Sequence, residues 1–178
     1  MFFSQVLIFI VSVLFISISI SGYGSIIKLG TQKNFFLNIF LGFIIISLFI
    51  TFTHFFFKIN FLISFLIFAI GILIFLIKNN LRFPVFTDKK FAYYFILLLL
   101  FIPIFISQKY HEDFGYYHLP YALGFIEDKI IFGFSNIDQS YVYNSLWLNI
   151  YSVFFLQDKN FDFLTLPSFI LYLTFIFF

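Results

Sequence analysis

The stretch FLISFLIFAIGILIFLI, residues 61–77, has no charged side chain in seventeen positions and is closed by Lys78, Asn79 and Asn80. A helix needs about 20 apolar residues to cross the hydrocarbon layer, so a run of this kind reads as a membrane span. Working outward, similar runs occupy about 3–21, 35–53, 91–107, 141–156 and 163–178. The chain of 178 residues is 62% hydrophobic and only 10% charged, with a mean hydropathy of +1.07. A soluble domain of that size has too little interior to hide so much apolar side chain. The expectation is an all-α protein, a polytopic bundle of transmembrane helices forming a single domain.

Met1 to Ile27 carries no charge. It lacks the basic start and small-residue cleavage site of a signal peptide, and reads as a retained first span. The run 146–156 is short for a full crossing; it either extends back through Tyr141 and Tyr143 or is re-entrant. Pro103 falls near the end of its run, where an early helix exit costs little. The sequence stops inside the last apolar run, which predicts the N-terminal part of something longer.

Lysine and arginine in the loops set the orientation. Alternate-loop grouping gives seven basic residues on one side (loops 22–34, 78–90 and 157–162) and three on the other (54–60 and 108–145). The basic side is expected to be cytoplasmic. The N-terminus and the 108–145 loop then face the periplasm of a bacterial inner membrane. The chain has no cysteine, so disulfides and thiolate metal sites are excluded. A formal charge of +2 gives no reason to expect nucleic acid.

Five of the eight acidic residues fall in 108–145: Glu112, Asp113, Glu127, Asp128 and Asp138. Loop charges are ordinarily just solvated, and that reading suits Glu127, Asp128, Lys129 and Asp138. Glu112 and Asp113 differ because they follow closely on the run 91–107. A carboxylate at the membrane surface is partly desolvated, which strengthens it as a proton acceptor. His111, Tyr116, Tyr117 and His118 supply hydrogen-bonding neighbours. Pro120 suits the first turn of a helix, and 119–127 reads as a short amphipathic helix at the interface, with Tyr117 and Tyr121 at headgroup depth. HEDFGYYH is not the HExxH of a zinc site, so no metal is expected; a carboxylate-bound divalent cation has no sequence support. Asn136 and Asn144 can donate and accept, as sugar hydroxyls require, but turn or cap roles fit them equally. Tyr141, Tyr143 and Trp147 read first as aromatic-belt residues.

Asp113-x-Gly115-x-Tyr117-His118, then Gly133-x-x-Asn136, then Asn144-Ser145-x-Trp147 entering an apolar run, together with Gly22-Tyr23-Gly24, resembles a family of bacterial polytopic membrane proteins. That family looks like the GT-C glycosyltransferases of surface-polysaccharide assembly. The resemblance implies a GT-C-like fold and a sugar passed from a polyprenyl-phosphate donor to a glycan or lipid-linked acceptor, with membrane lipid as the surroundings. By position Asp113 would be the base, with Glu112 its substitute. His118 or a nearby lysine such as Lys109 would steady the leaving phosphate, and His111, Tyr117, Asn136 and Asn144 would contact substrate. The His-Glu pair before Asp113 departs from the family pattern and leaves the choice of carboxylate open. Competing classes are a polysaccharide polymerase or ligase, a lipid-linked glycan transporter or flippase, and a non-catalytic subunit or remnant.

Overall fold

The computed structural model describes residues 2–27, 34–80, 89–106, 115–116, 119–130, 146–154 and 165–177. Among them all regular structure is helical: α1 (Phe2–Gly24), α2 (Phe35–His54), α3 (Phe61–Lys78), α4 (Lys89–Ile106), α5 (Leu119–Glu127), α6 (Leu146–Phe154) and α7 (Leu166–Ile176). Three of these are long and apolar enough to cross a membrane: Val6–Gly24, Phe35–His54 and Phe61–Lys78.

Asparagines mark several helix ends. Asn34 Oδ1 accepts from the Phe36 and Leu37 N–H groups at the start of α2, and Asn60 Oδ1 accepts from Ile63 N–H at the start of α3. These side chains satisfy donors that the first turn leaves unpaired. At the far end of α3, Asn79 Nδ2 donates to the Phe75 carbonyl, and Asn80 takes a positive φ of 53° that ends the helix.

α1 is the central helix, packed most extensively on α2 and α3 and touching α4 and α7. In hydrocarbon there is no hydrophobic force between helices, so close packing and interhelical hydrogen bonds must hold them. Small residues supply the first. A Cβ at Gly22 would overlap the Gly71 carbonyl oxygen of α3, and one at Gly42 of α2 would overlap the Ile20 carbonyl oxygen of α1. Polar groups supply the second. Ser19 Oγ donates to the Phe68 carbonyl at 2.8 Å and Tyr23 OH to the Ile67 carbonyl at 2.7 Å, tying α1 to α3. Ser17 Oγ and Tyr94 OH, 3.0 Å apart, tie α1 to α4. α3 turns Leu62, Phe65, Leu66, Leu73 and Ile77 outward, as a lipid-facing helix would.

α7 runs antiparallel to α4: Tyr172 packs on Phe101 and Phe177 on Tyr94. It therefore has the sense of α1, and Phe169 stacks on Phe9 near the beginning of both helices. α6 is set differently. Trp147 and Phe154, two turns apart on one face of α6, both lie against the single ring of Phe43, at centroid distances of 6.0 and 6.5 Å. Asn149, on the opposite face, reaches Thr51 two turns further along α2. A helix running alongside α2 could not make both sets of contacts. α6 thus lies across α2, between the levels of Phe43 and Thr51, and its nine residues extend only about 14 Å. This arrangement fits the short run 146–156 better as a non-crossing segment than as a full span. The alternate-loop grouping treats it as a crossing; as a non-crossing segment it moves Lys159 to the other group, and the count becomes six against four, in the same direction.

Candidate functional site

The end of the bundle where α2 turns into α3 carries α5. Three contacts fix it there. Ile59 N–H donates to the Phe125 carbonyl at 2.9 Å, Ile130 N–H donates to the His54 carbonyl at 3.1 Å, and His54 Nε2 donates to the Asp128 carbonyl at 2.8 Å. The imidazole of His54 also stacks on Phe125 with centroids 3.9 Å apart. α5 buries Tyr121, Ala122 and Phe125, which fall on one helical face. Burial pushes the Tyr121 phenol above its usual value. The 54–60 turn and residues 119–130 therefore share one end of the molecule, in keeping with the alternate-loop grouping.

Beneath α5, α6 packs on both α5 and α2. Here a run of hydrogen bonds commits nearly every available proton. Asn149 Nδ2 donates to Thr51 Oγ1 at 2.7 Å, Thr51 Oγ1 donates to the Ser47 carbonyl at 2.8 Å, Ser47 Oγ donates to the Ile44 carbonyl, and Ser152 Oγ donates to the Asn149 carbonyl. Because the Thr51 proton is already given to Ser47, Thr51 must accept from Asn149, which fixes the amide with its Oδ1 turned away. Asn149 is fully buried and His54 only 3% exposed. Asn149 Oδ1, His54 Nδ1 and Ser64 Oγ have no hydrogen-bond partner among the described residues. Unpaired buried polar atoms cost stability, so three at one end of a bundle call for an explanation.

The residues assigned chemistry from sequence, Asp113, Glu112, His118, Tyr117, His111, Asn136, Asn144 and Lys109, all lie outside the described residues. Of their surroundings, Tyr116 is exposed, and a Cβ on Gly115 would meet nothing within 4 Å. Glu127, Asp128 and Lys129 have exposed side chains. Asp128 acts through its backbone carbonyl, not its carboxylate. Trp147 is half-buried and packs toward Phe43, and its Nε1 donates to Tyr151 OH at 3.2 Å. Tyr151 OH in turn meets Ser168 Oγ of α7 at 2.8 Å. Among the described residues no group of three or more His, Cys, Asp or Glu is placed to hold a metal ion.

Residues 6–178 match the family described as a domain of unknown function, DUF8201. The chain belongs to that family. No curated protein and no solved structure matches it. The DUF8201 match runs from the first span through α7, so the central α1, the α5 cap and the transverse α6 all fall within the family's region. Sequence reasoning missed Thr51, His54 and Asn149. The available signal was the polar residue inside an apolar run, which in a membrane segment marks a site until shown otherwise.

Proposed function

We propose that this protein is a membrane glycosyltransferase of GT-C type, moving a sugar from a polyprenyl-phosphate donor to a glycan or lipid-linked acceptor at the membrane face that carries α5. The observation that carries the reading is the fixing of α5 on the α2–α3 turn by His54, Ile59 and Ile130. Leu119 begins that helix, and Glu112 and Asp113 precede it by only six or seven residues. On this proposal both carboxylates, within about 25 Å of extended chain from Leu119, act at this end of the bundle. Asp113 then takes the proton of the acceptor hydroxyl as it attacks the anomeric carbon, and the lipid phosphate leaves with the bonding electrons. His118 or Lys109 steadies that phosphate. The proposal places this end of the bundle in the periplasm.

The test is glycan transfer by Asp113→Asn and Glu112→Gln in the full-length protein, with membrane insertion as the control. Loss of transfer with Asp113→Asn alone supports the reading, loss with Glu112→Gln alone moves the base to its neighbour, and transfer by the double variant ends it.

One observation favours a second reading. A transporter of lipid-linked glycans is expected to interrupt its helices at the binding site, and α6 lies across the bundle with a buried polar face. Movement of labelled lipid-linked sugar across vesicles, with no new glycosidic bond, would select that reading.

A further inference from the structure

His54 opens the 54–60 turn and holds α5 as a neutral ring. The Asp128 carbonyl only accepts, so Nε2 carries the imidazole hydrogen that meets it at 2.8 Å. Nδ1 is then a bare lone pair, buried with no partner among the described residues. The residue is 3% exposed, and its ring stacks on Phe125 at 3.9 Å between centroids. The two backbone bonds that close the joint, Ile130 N–H to the His54 carbonyl and Ile59 N–H to the Phe125 carbonyl, involve the same two residues.

The charged groups around the joint are Lys58 in the turn and Glu127, Asp128 and Lys129 after α5. All four side chains are exposed, two acids against two bases, and none bonds Nδ1. On α5, the Tyr121 ring packs on Phe125 at 4.9 Å, and burial keeps its phenol protonated. On α2, the Thr51 and Thr53 hydroxyls donate to carbonyls of their own helix. On α6, Asn149 donates to Thr51, and Tyr151 OH meets Ser168 Oγ of α7. On α3, Asn60 Oδ1 is taken up as a helix cap. No described group is placed to receive a second imidazole hydrogen.

We propose that His54 is a proton-controlled latch, which holds α5 on the α2–α3 turn while its ring is neutral and releases it when the ring is protonated. A proton on Nδ1 creates a buried donor with no acceptor and brings a full charge into a covered site. The imidazolium does gain from the Phe125 face and from a stronger bond to the Asp128 carbonyl. Those contacts return only part of the lost hydration, because the Nδ1 side of the ring still faces no acceptor. With the joint open, both ring N–H groups reach water. The open state therefore takes up the proton and the closed state does not. Closure is fully present above the ordinary imidazole range and is lost as the pH falls below about 6.5. The latch goes beyond the transferase reading and does not rest on it.

Hydrogen–deuterium exchange of the protein in nanodiscs, at about pH 7.5 and about pH 5, tests the latch, with each rate compared with the intrinsic rate at that pH. One proton changes the closing equilibrium by at most about tenfold per pH unit. Protection of the Ile59 and Ile130 amides should fall about tenfold between the two conditions. Ile46 and Ile50, buried inside α2, should keep theirs. His54→Gln retains a donor for the Asp128 carbonyl but takes up no proton, and should abolish the pH dependence at both amides. The chain has three histidines, so the double variant His111→Gln, His118→Gln leaves His54 as the sole imidazole. Its ring NMR signals should titrate with the same midpoint as the amide protection, which keeps the test standing even where His54→Gln does not fold. Equal protection at the two pH values, in the unaltered protein or the double variant, overturns the proposal. So does a fall that persists in His54→Gln, a fall shared by Ile46 and Ile50, or a ring midpoint that differs from the amide midpoint.

Discussion

His54 and Phe125, 71 positions apart in the sequence, stack ring on ring at 3.9 Å, while the same imidazole donates to the Asp128 carbonyl one turn beyond. One residue at the end of α2 thereby holds the short helix that leads back to the Glu112–Asp113 pair. Aromatic contact of this kind adds to simple burial, and the backbone bonds of Ile59 and Ile130 close the joint on either side.

Phe125→Ala should release α5 without unfolding the bundle. The Ile59 and Ile130 amides, both hydrogen-bonded across the joint, should then exchange at least tenfold faster by hydrogen–deuterium exchange. The amides of Ile46 and Ile50, inside α2, should be unchanged. Persistent protection at Ile59 would mean that α5 is held by something other than this stack.

Gly22→Ala should destabilise the bundle by about 1–3 kcal/mol, because the added methyl meets the Gly71 carbonyl oxygen and the helices must separate. Gly124→Ala in α5 is the contrast. A Cβ there meets nothing within 4 Å, and alanine is the better helix former by up to about 1 kcal/mol. Thermal unfolding in one detergent should therefore lower the midpoint for the first variant and hold or raise it for the second.

Tyr23→Phe and Ser19→Ala each remove one bond from α1 to neighbouring carbonyls of α3. Each should cost roughly 0.5–2 kcal/mol, the range found for such bonds in membranes. The bonds share one interface, so the double variant should lose less or more than the sum of the two. A double-variant cycle of unfolding free energies measures this coupling, and strict additivity would show that the two contacts act independently.

The absence of cysteine makes the chain suited to single-cysteine labelling. Lys58→Cys and Lys129→Cys should react with a membrane-impermeant maleimide from the same side, because His54 and Ile59 join their segments directly. Lys78→Cys, at the other end of α3, should react only from the opposite side. Labelling of residues 58 and 129 from different sides would contradict the α5 joint.

The helices were largely legible in the sequence. α2 and α3 begin one residue after Asn34 and Asn60, and α3 stops at the Lys78–Asn79–Asn80 break. Pro120 stands in the first turn of α5, which covers Leu119–Glu127. The internal polar groups were marked only as polar residues inside apolar runs, with nothing in the sequence to pair them. Thr51, His54 and Asn149 are ordinary residues at ordinary spacings, and Thr51 and Asn149 become partners only across 98 positions of chain.

The sequence by itself determined where the chain is helical, which runs are greasy enough for a membrane, and that thiol chemistry is absent, because those properties depend on composition and local breaks. Its spans are apolar on every side, so no stripe of residues announces an inner face. Tertiary structure alone decided that α1 is central, that α6 lies across α2, and that α5 is fixed on the turn between α2 and α3. The physical reason is that packing in hydrocarbon is chosen by close backbone approach and paired polar groups, and both are relations between distant residues.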